Sequence, residues 1–275
     1  MRLRLTIRPL NPCAEIPLSY NYYLSSAIYR WIEASSPEYS RFLHGQGFQP
    51  EGMARRFKHF CFSQLIVPQR TIKGSRLLIR SPLITWYVGM PVEQSLQHLV
   101  TGIFARQEFY IEGEENRFAI EQVEVLPEPA WTSPMRFRML SPLTVSVPEQ
   151  RNGKLVARYL FADDPELSEA LRSNIINKYN SLRRSDWQSD LHFHCTLDQN
   201  FISQRGGAAK ISKLITIREG HKDETRIRGF LCPVTLEGDV ELIRLAYESG
   251  LGEKNSMGFG MLEHAPVQDD HKAQT

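Results

Sequence analysis

An order of elements that runs through the chain twice constrains its fold more than any other feature. Residues 2–8 read RLRLTIR, with Leu3, Leu5 and Ile7 on one face and polar side chains on the other, the period-two alternation of a half-buried strand. A helix follows. Ser19 is its expected cap, Tyr20, Tyr23, Leu24, Ala27, Ile28 and Trp31 form its apolar stripe, and Pro37 closes the region. Strand-like text occupies 60–67, 76–79 and 85–88. Pro91 opens a second helix with Val92, Leu96, Leu99, Val100 and Ile103 on one side, and strands resume at 108–110 and 118–125. Strand, helix, strands, helix, strand is the split βαβ arrangement.

Pro127, Pro129 and Pro134 then crowd into a few residues, the composition of a linker. The order restarts with a strand over 135–147. Asp164 and Pro165 are the expected cap and first residue of a helix carrying Leu167, Leu171, Ile175, Tyr179 and Leu182. Strands follow at 191–197, 213–217 and 226–236. A helix capped by Asp239 carries Leu242, Ile243 and Ala246 and stops at Gly250, and 257–262 is the last strand. The second half has one strand more than the first and shares no residue-level repeat with it. The expectation is an α+β chain of two tandem ferredoxin-like (βαββαβ) domains: 1–126, a linker over 127–134, 135–265, and a tail over 266–275.

The 275 residues are 41% hydrophobic, enough to bury two cores without a disulfide or metal staple. The four cysteines, Cys13, Cys61, Cys195 and Cys232, are scattered with no CxxC pair, which argues against a zinc site and a secreted disulfide framework. His192 and His194 share one face of an alternating strand but have no evident third ligand, so no metal is expected, nor any cofactor. The alternating N-terminal text is not a signal peptide, and no run approaches the ~18 apolar residues of a membrane helix. A cytoplasmic protein with no membrane partner is expected. A Ser–His–Asp hydrolase lacks support from any GxSxG elbow.

Net charge is only +2, but its distribution is uneven. Between Gly52 and Val92 there are seven Lys or Arg and no acid; from Glu108 to Glu128 there are seven Glu and one Arg. Segregated basic charge makes a local field that attracts phosphates. The alternative is mutual neutralisation across neighbouring strands.

Residues 250–260 read GLGEKNSMGFG, with four glycines in eleven positions after a helix and before a strand. Glycine lets backbone N–H groups approach a ligand closely, and such a nest binds phosphate oxygens. Lys254 adds a cation, and Asn255 and Ser256 add neutral donors. A Walker loop needs GxxxxGK after a strand, and a dinucleotide fingerprint needs glycine where Asn255 stands; neither holds. A helix C-cap and tight turn account for Gly250 and Gly252 but leave Gly258 and Gly260 without a reason. Phosphate contact is therefore the favoured reading.

The run GLGEKNSMGFGML resembles the signature loop of the CRISPR-associated repeat-RNA endoribonucleases, a family of the RAMP type. IPLSYNYYLSSAIYRWI, FLHGQGF and FKHFCFS are similar to that family's early motifs in the same order, and the resemblance runs from about Arg4 to Leu262. It implies two ferredoxin-like domains and cleavage of CRISPR repeat RNA without a metal, leaving a 2′,3′-cyclic phosphate. Repeat RNA is the implied partner, with other CRISPR-associated proteins of an interference complex and a homodimer compatible.

Such cleavage turns the RNA's own 2′-hydroxyl on the adjacent phosphorus. It needs a base, an acid for the leaving 5′ oxygen and a cation for the developing charge. The resemblance implies His44, in FLHGQGF, as the acid or base; residue pattern alone leaves it a surface loop histidine. Tyr29 lies ~180° from Tyr20 on the helical wheel, opposite the stripe and aligned with Tyr22, which suggests a ligand surface. The resemblance makes Tyr29 the assistant of His44 and Lys58, in FKHFCFS, the catalytic lysine, with Arg55, Arg56 and His59 as nearby substitutes. Arg183, Arg184, Arg205, Lys210, Lys213, Arg226 and Arg228 are expected to line a groove for backbone phosphates beside the glycine loop. A non-catalytic RNA-binding subunit is the competing reading, and a mononucleotide-binding enzyme using the glycine loop is a third.

Overall fold

A computed structural model of the chain describes residues 1–183 and 190–265. Arg184 and the expected tail lie outside the described residues.

The first half contains β1 (Arg2–Pro9), β2 (Glu15–Pro17), α1 (Asn21–Ser35), α2 (Pro37–Arg41), a π turn (Phe42–Gln46), β3 (Cys61–Phe62), β4 (Arg70–Lys73), β5 (Arg76–Ile79), β6 (Ile84–Gly89), α3 (Glu93–Ala105), β7 (Glu108–Tyr110) and β8 (Arg117–Leu126). Its main sheet has the order β3-β6-β1-β8-β7, with every neighbouring pair antiparallel. Counting β1, β3, β6 and β8 as the strands of the split βαβ unit, the spatial order is second, third, first, fourth. A small sheet, β2-β5-β4, stands beside it.

The second half contains β9 (Met135–Met139), β10 (Ser146–Arg151), β11 (Lys154–Tyr159), α4 (Leu167–Leu182), β12 (Phe193–Leu197), α5 (Gln199–Gln204), α6 (Ala208–Ile211), β13 (Ser212–Ile217), β14 (Thr225–Phe230), β15 (Val234–Gly238), α7 (Val240–Ser249), a 3-10 turn (Asn255–Met257) and β16 (Leu262–His264). Its sheet runs β12-β15-β9-β16, which is again second, third, first, fourth. The two halves therefore share the ferredoxin-like topology.

Each sheet buries one face under its helices. Leu3, Leu5 and Ile7 of β1 pack under Leu24, Ile28 and Trp31 of α1 and Leu99 and Ile103 of α3, all fully buried. At Gly102 a Cβ would stand 1.7 Å from the Trp31 carbonyl oxygen, so α1 and α3 meet backbone to backbone. The second core gathers Phe137, Leu171, Ile175, Leu236, Leu242 and Ile243. Burying each such side chain stabilises the fold by about 1.5–3 kcal/mol.

Several local expectations are corrected. Ser19 does not cap α1; its hydroxyl donates to Glu219, and the cap position is Tyr20, which makes no side-chain cap bond. Pro37 opens α2, where Ser36 accepts from the Tyr39 N–H at 3.2 Å. Helix α4 starts at Leu167, not at Pro165, and the Asp164 carboxylate accepts from the Phe161 N–H at 2.6 Å. The strand expected over 135–147 breaks after Met139 at Ser141–Pro142, and the one over 226–236 breaks at Cys232–Pro233. Two extra hairpins, β10–β11 and β13–β14, result instead of one extra strand.

The acidic stretch finds its partners across the strands. Glu124 pairs with Arg4, Glu121 with Arg8, Glu112 with Arg76 and Glu108 with Arg117. Neutralisation thus accounts for these four glutamates; of the basic stretch, Arg55 pairs with Glu253 of the second half, beside Arg56 and Lys58.

That seam is built from close approaches. Arg2 is 2% exposed; its guanidinium donates to the carbonyls of Tyr247 and Leu262 and lies 3.5 Å over the Tyr247 ring. At Gly89 a Cβ would meet the Glu248 carbonyl at 2.6 Å.

Candidate active site

The site begins where α1 ends. Ser36 and Pro37 turn the chain into α2, which loosens into the π turn carrying His44. Gly47, with φ 64°, ends that turn, and its N–H donates to the Phe42 carbonyl at 2.7 Å. Glycine is required there, because a Cβ would fall 2.6 Å from the Phe57 oxygen and 3.3 Å from Lys58 Nζ. Phe48 and Phe57 then exchange two backbone hydrogen bonds, at 2.8 and 2.7 Å, which returns the chain beneath the π turn.

This return brings the three expected catalytic residues together. Lys58 Nζ donates to the His44 carbonyl at 2.5 Å, and Arg56 donates to the Gly45 carbonyl at 3.0 Å. Two cations thus satisfy carbonyls that the end of a helical turn leaves unpaired. The Tyr29 ring stands edge to face against His44, with centroids 5.3 Å apart, and likewise against Phe60 at 5.5 Å. His44 is exposed. Burial pushes the Tyr29 phenol well above its ordinary range, so it is a neutral hydroxyl. Burial, and then the neighbouring Arg56, lower Lys58 below the usual lysine value.

Tyr29 does not lie on an open face as the helical wheel implied. It is half-buried, because 37–60 folds back over that side of α1. Tyr22 is covered too: Arg218, at the tip of β13–β14, sits 5.1 Å from its ring centroid.

Beside this cluster a cavity of about 410 Å³ opens along the seam. Arg55, Arg56 and Lys58 line it from the first half, and Lys178, Lys254 and Ser256 from the second. Arg55 is paired with Glu253. Lys178 is a contributor that the sequence reading passed over. Its signal was present, since it lies three residues after Ile175 and seven after Leu171, inside the apolar stripe of α4. Burial lowers it to about 7, and its Nζ donates to the Gly250 carbonyl at 2.5 Å and to Asn255 Oδ1 at 2.6 Å.

The glycine loop is first of all the joint between the halves. All four glycines have positive φ, and packing alone accounts for each. A Cβ would meet Cys61 Cβ at 2.9 Å at Gly250, the Thr144 oxygen at 2.4 Å at Gly252, Phe62 Cε2 at 2.4 Å at Gly258 and the Leu251 oxygen at 1.9 Å at Gly260. Gly258 and Gly260 thus have the structural reason the sequence did not supply. Asn255 is buried, with its amide donating to the Leu251 and Phe259 carbonyls at 3.0 Å, so its side chain is committed to the loop. From the loop, Lys254, exposed, and Ser256, half-buried, present side-chain donors to the cavity.

Among the described residues, the other basic residues expected in the second half do not line this cavity. Arg183 rests on Tyr179 and pairs with Glu241, and Arg205 rests on Phe201. Arg226 pairs with Glu224, and Arg228 donates to Ser212 and stacks on Phe161. Lys210 and Lys213 are exposed. His192 and His194 are exposed, with His194 Nδ1 3.1 Å from the Ser168 hydroxyl. Among the described residues no group of three His, Cys, Asp or Glu stands together, and no helix is long and apolar enough to cross a membrane.

Comparison with known proteins agrees with this architecture. The model for "CRISPR-associated protein Cas6, N-terminal" matches residues 15–124, and that for "CRISPR associated protein Cas6, C-terminal" matches 126–264. The chain is 26% identical over 265 residues to the CRISPR-associated endoribonuclease Cas6 1 of Methanocaldococcus jannaschii, covering 95% of this chain and 92% of that protein. It is 24% identical over 268 residues to the CRISPR-associated endoribonuclease Cas6 of Pyrococcus furiosus, covering 95% and 88%. Among solved structures, that of a Cas6-related gene product from Pyrococcus furiosus superposes with a TM-score of 0.80 at 24% identity, over 98% of this chain and 99% of that one. A RAMP protein described as binding different RNA substrates superposes with a TM-score of 0.77 at 22% identity, over 96% and 99%. With its second half matched by the C-terminal model and most of its first half by the N-terminal one, the chain belongs to the CRISPR-associated Cas6 family.

Proposed function

We propose that this protein is an endoribonuclease that cuts CRISPR repeat RNA by attack of a 2′-hydroxyl on the adjacent phosphate. The products are a guide RNA and a 2′,3′-cyclic phosphate end. The observation that carries the reading is the convergence of His44, Tyr29 and Lys58, separated in sequence, on one small patch beside a cationic cavity.

Each group suits one task. The exposed His44 imidazole takes or gives the proton at the reacting oxygens. Lys58, held by the His44 carbonyl, supplies positive charge to the phosphoryl oxygens, and partial burial strengthens that interaction relative to open water. Tyr29, neutral through burial, acts as a hydrogen-bond donor that orients a phosphate or the imidazole. Arg55, Arg56 and Lys254 hold flanking phosphates. No step of this scheme requires a metal.

The deciding experiment uses one cognate repeat RNA, intact and with a single 2′-deoxy nucleotide at the scissile position. Cleavage of the first to a cyclic phosphate, in excess EDTA, and none of the second is the expected result. Cutting of the deoxy substrate defeats the mechanism, and binding without any cutting leaves an RNA-binding subunit.

A further inference from the structure

We propose that His59 is a positioning residue for Lys58: it ties the catalytic cluster of the first half to helix α4 of the second. This rests on the role given to Lys58 above.

His59 follows Lys58 directly and adopts φ 49°, a left-handed conformation that non-glycine residues seldom take without a structural reason. Its side chain is 4% exposed. The ring packs edge to face on Phe48, with centroids 5.2 Å apart, and at 33° to Phe57, at 5.8 Å. Phe48 and Phe57 are the two residues whose paired backbone bonds fold the His44 turn over Lys58. His59 therefore packs against both sides of the bridge that assembles the cluster.

The other end of the ring reaches across the seam. His59 Nε2 lies 2.7 Å from the Ser181 hydroxyl, and that hydroxyl donates its only proton to the Lys178 carbonyl at 2.7 Å. Ser181 can then only accept, which places the ring proton on Nε2 and leaves Nδ1 bare. Nδ1 has no partner among the described residues. Burial, reinforced by nearby Lys178, keeps the ring neutral, down to about 3. An unfilled buried acceptor and a left-handed backbone both oppose this arrangement, so a purely packing role would be met better by an apolar side chain. What a leucine or phenylalanine lacks is the bond to Ser181. That bond fixes the backbone at 59, and through it the direction in which Lys58 leaves the chain. A displacement of about 1 Å at a catalytic group can cost roughly a hundredfold in rate.

The test compares Ser181→Ala, Ser181→Thr and His59→Asn, each alone and combined with Lys58→Ala. Single-turnover cleavage of repeat RNA is measured beside affinity for the uncleavable 2′-deoxy RNA and the thermal midpoint. Ser181→Ala and His59→Asn should slow cleavage by about tenfold or more, while affinity changes by less than about twofold. Ser181→Thr, which keeps the hydroxyl, should cleave like the parent. In the Lys58→Ala background, Ser181→Ala should cause no further loss, because the residue acted through has gone. An unchanged rate for Ser181→Ala, or an equal loss with and without Lys58, overturns the proposal. If Lys58→Ala itself cuts at the parent rate, the role given to Lys58 fails and this inference fails with it. Should His59→Asn not fold, the Ser181 pair decides alone.

Discussion

Lys58 Nζ donates to the backbone carbonyl of His44, so the cation is held at the histidine's main chain and not at its imidazole. The side chain of His44 is exposed and meets the Tyr29 ring edge to face. Replacing it should therefore remove chemistry without disturbing the turn. We expect His44→Ala to slow single-turnover cleavage by about 10²–10⁴-fold while affinity for repeat RNA and thermal midpoint stay near the parent values. A parallel loss of binding would mark His44 as a binding residue.

Lys58→Met removes both a charge and the partner of the His44 carbonyl. We expect about a hundredfold loss of rate, with a stability cost of about 1 kcal/mol. Lys58→Arg should restore stability better than rate, because a planar fork does not reproduce a point charge. Single-turnover kinetics alongside chemical denaturation separates the two effects.

Tyr29 contributes a ring to packing and a hydroxyl to the site. Tyr29→Phe keeps the edge-to-face contacts with His44 and Phe60 and should cost rate only. Tyr29→Ala should also destabilise by about 3 kcal/mol, because it opens a cavity between α1 and the segment folded over it. Since burial raises the phenol out of its usual range, neither the parent nor a His44 variant should show a rate limb from tyrosine ionisation at moderately alkaline pH. Such a limb, absent in Tyr29→Phe, would contradict the assignment.

The glycine loop should separate into two classes of variant. Gly260→Ala puts a Cβ 1.9 Å from the Leu251 oxygen at φ 70°, and we expect a loss of more than about 3 kcal/mol or failure to fold. Lys254 stands at the loop's exposed tip with φ 56°. Lys254→Gly should stabilise by about 1 kcal/mol while weakening RNA binding and reducing the salt slope by roughly 0.7. Unchanged affinity and slope would remove Lys254 from the RNA path.

His59 also makes the fold acid-sensitive. Its folded value, about 3, lies below the ~6.5 of an unfolded histidine. The unfolded chain therefore takes up a proton first as pH falls. Stability is full above about 6.5 and is lost toward 3, by up to about 1.4 kcal/mol per pH unit. Denaturation midpoints between pH 7 and 4 should fall less steeply for His59→Asn than for the parent. Equal slopes would show that other groups govern acid unfolding.

Much of this was legible in the sequence, and the omissions have physical causes. Alternation in 2–8 and the stripes of α1, α3, α4 and α7 are local signals, and they yielded both ferredoxin-like halves. Strand breaks at Ser141–Pro142 and Cys232–Pro233 were hidden by flanking apolar text, because a strand's ends depend on partners far along the chain. For the site, the matched motifs brought in His44 and Lys58. Tyr29's surroundings were misread because a helical wheel knows only its own helix and not the segment that folds back over it. The packing reason for Gly258 and Gly260 was invisible in the sequence because Phe62 and Leu251 meet them only in three dimensions. Lys178 in an apolar stripe was a readable anomaly that periodicity alone treats as noise.

The anchoring of Arg2 bears on how the molecule can be made. Its two acceptors, on Tyr247 and Leu262, lie 245 and 260 positions further along the chain. During synthesis the first lobe can gather its own apolar face early, as leading domains generally do. Its arginine must meanwhile stay in water until the closing helix and strand have left the ribosome. Chains truncated before α7 and β16 should consequently accumulate as half-built particles with an unsealed flank, and chaperone dependence should end only once both elements have emerged.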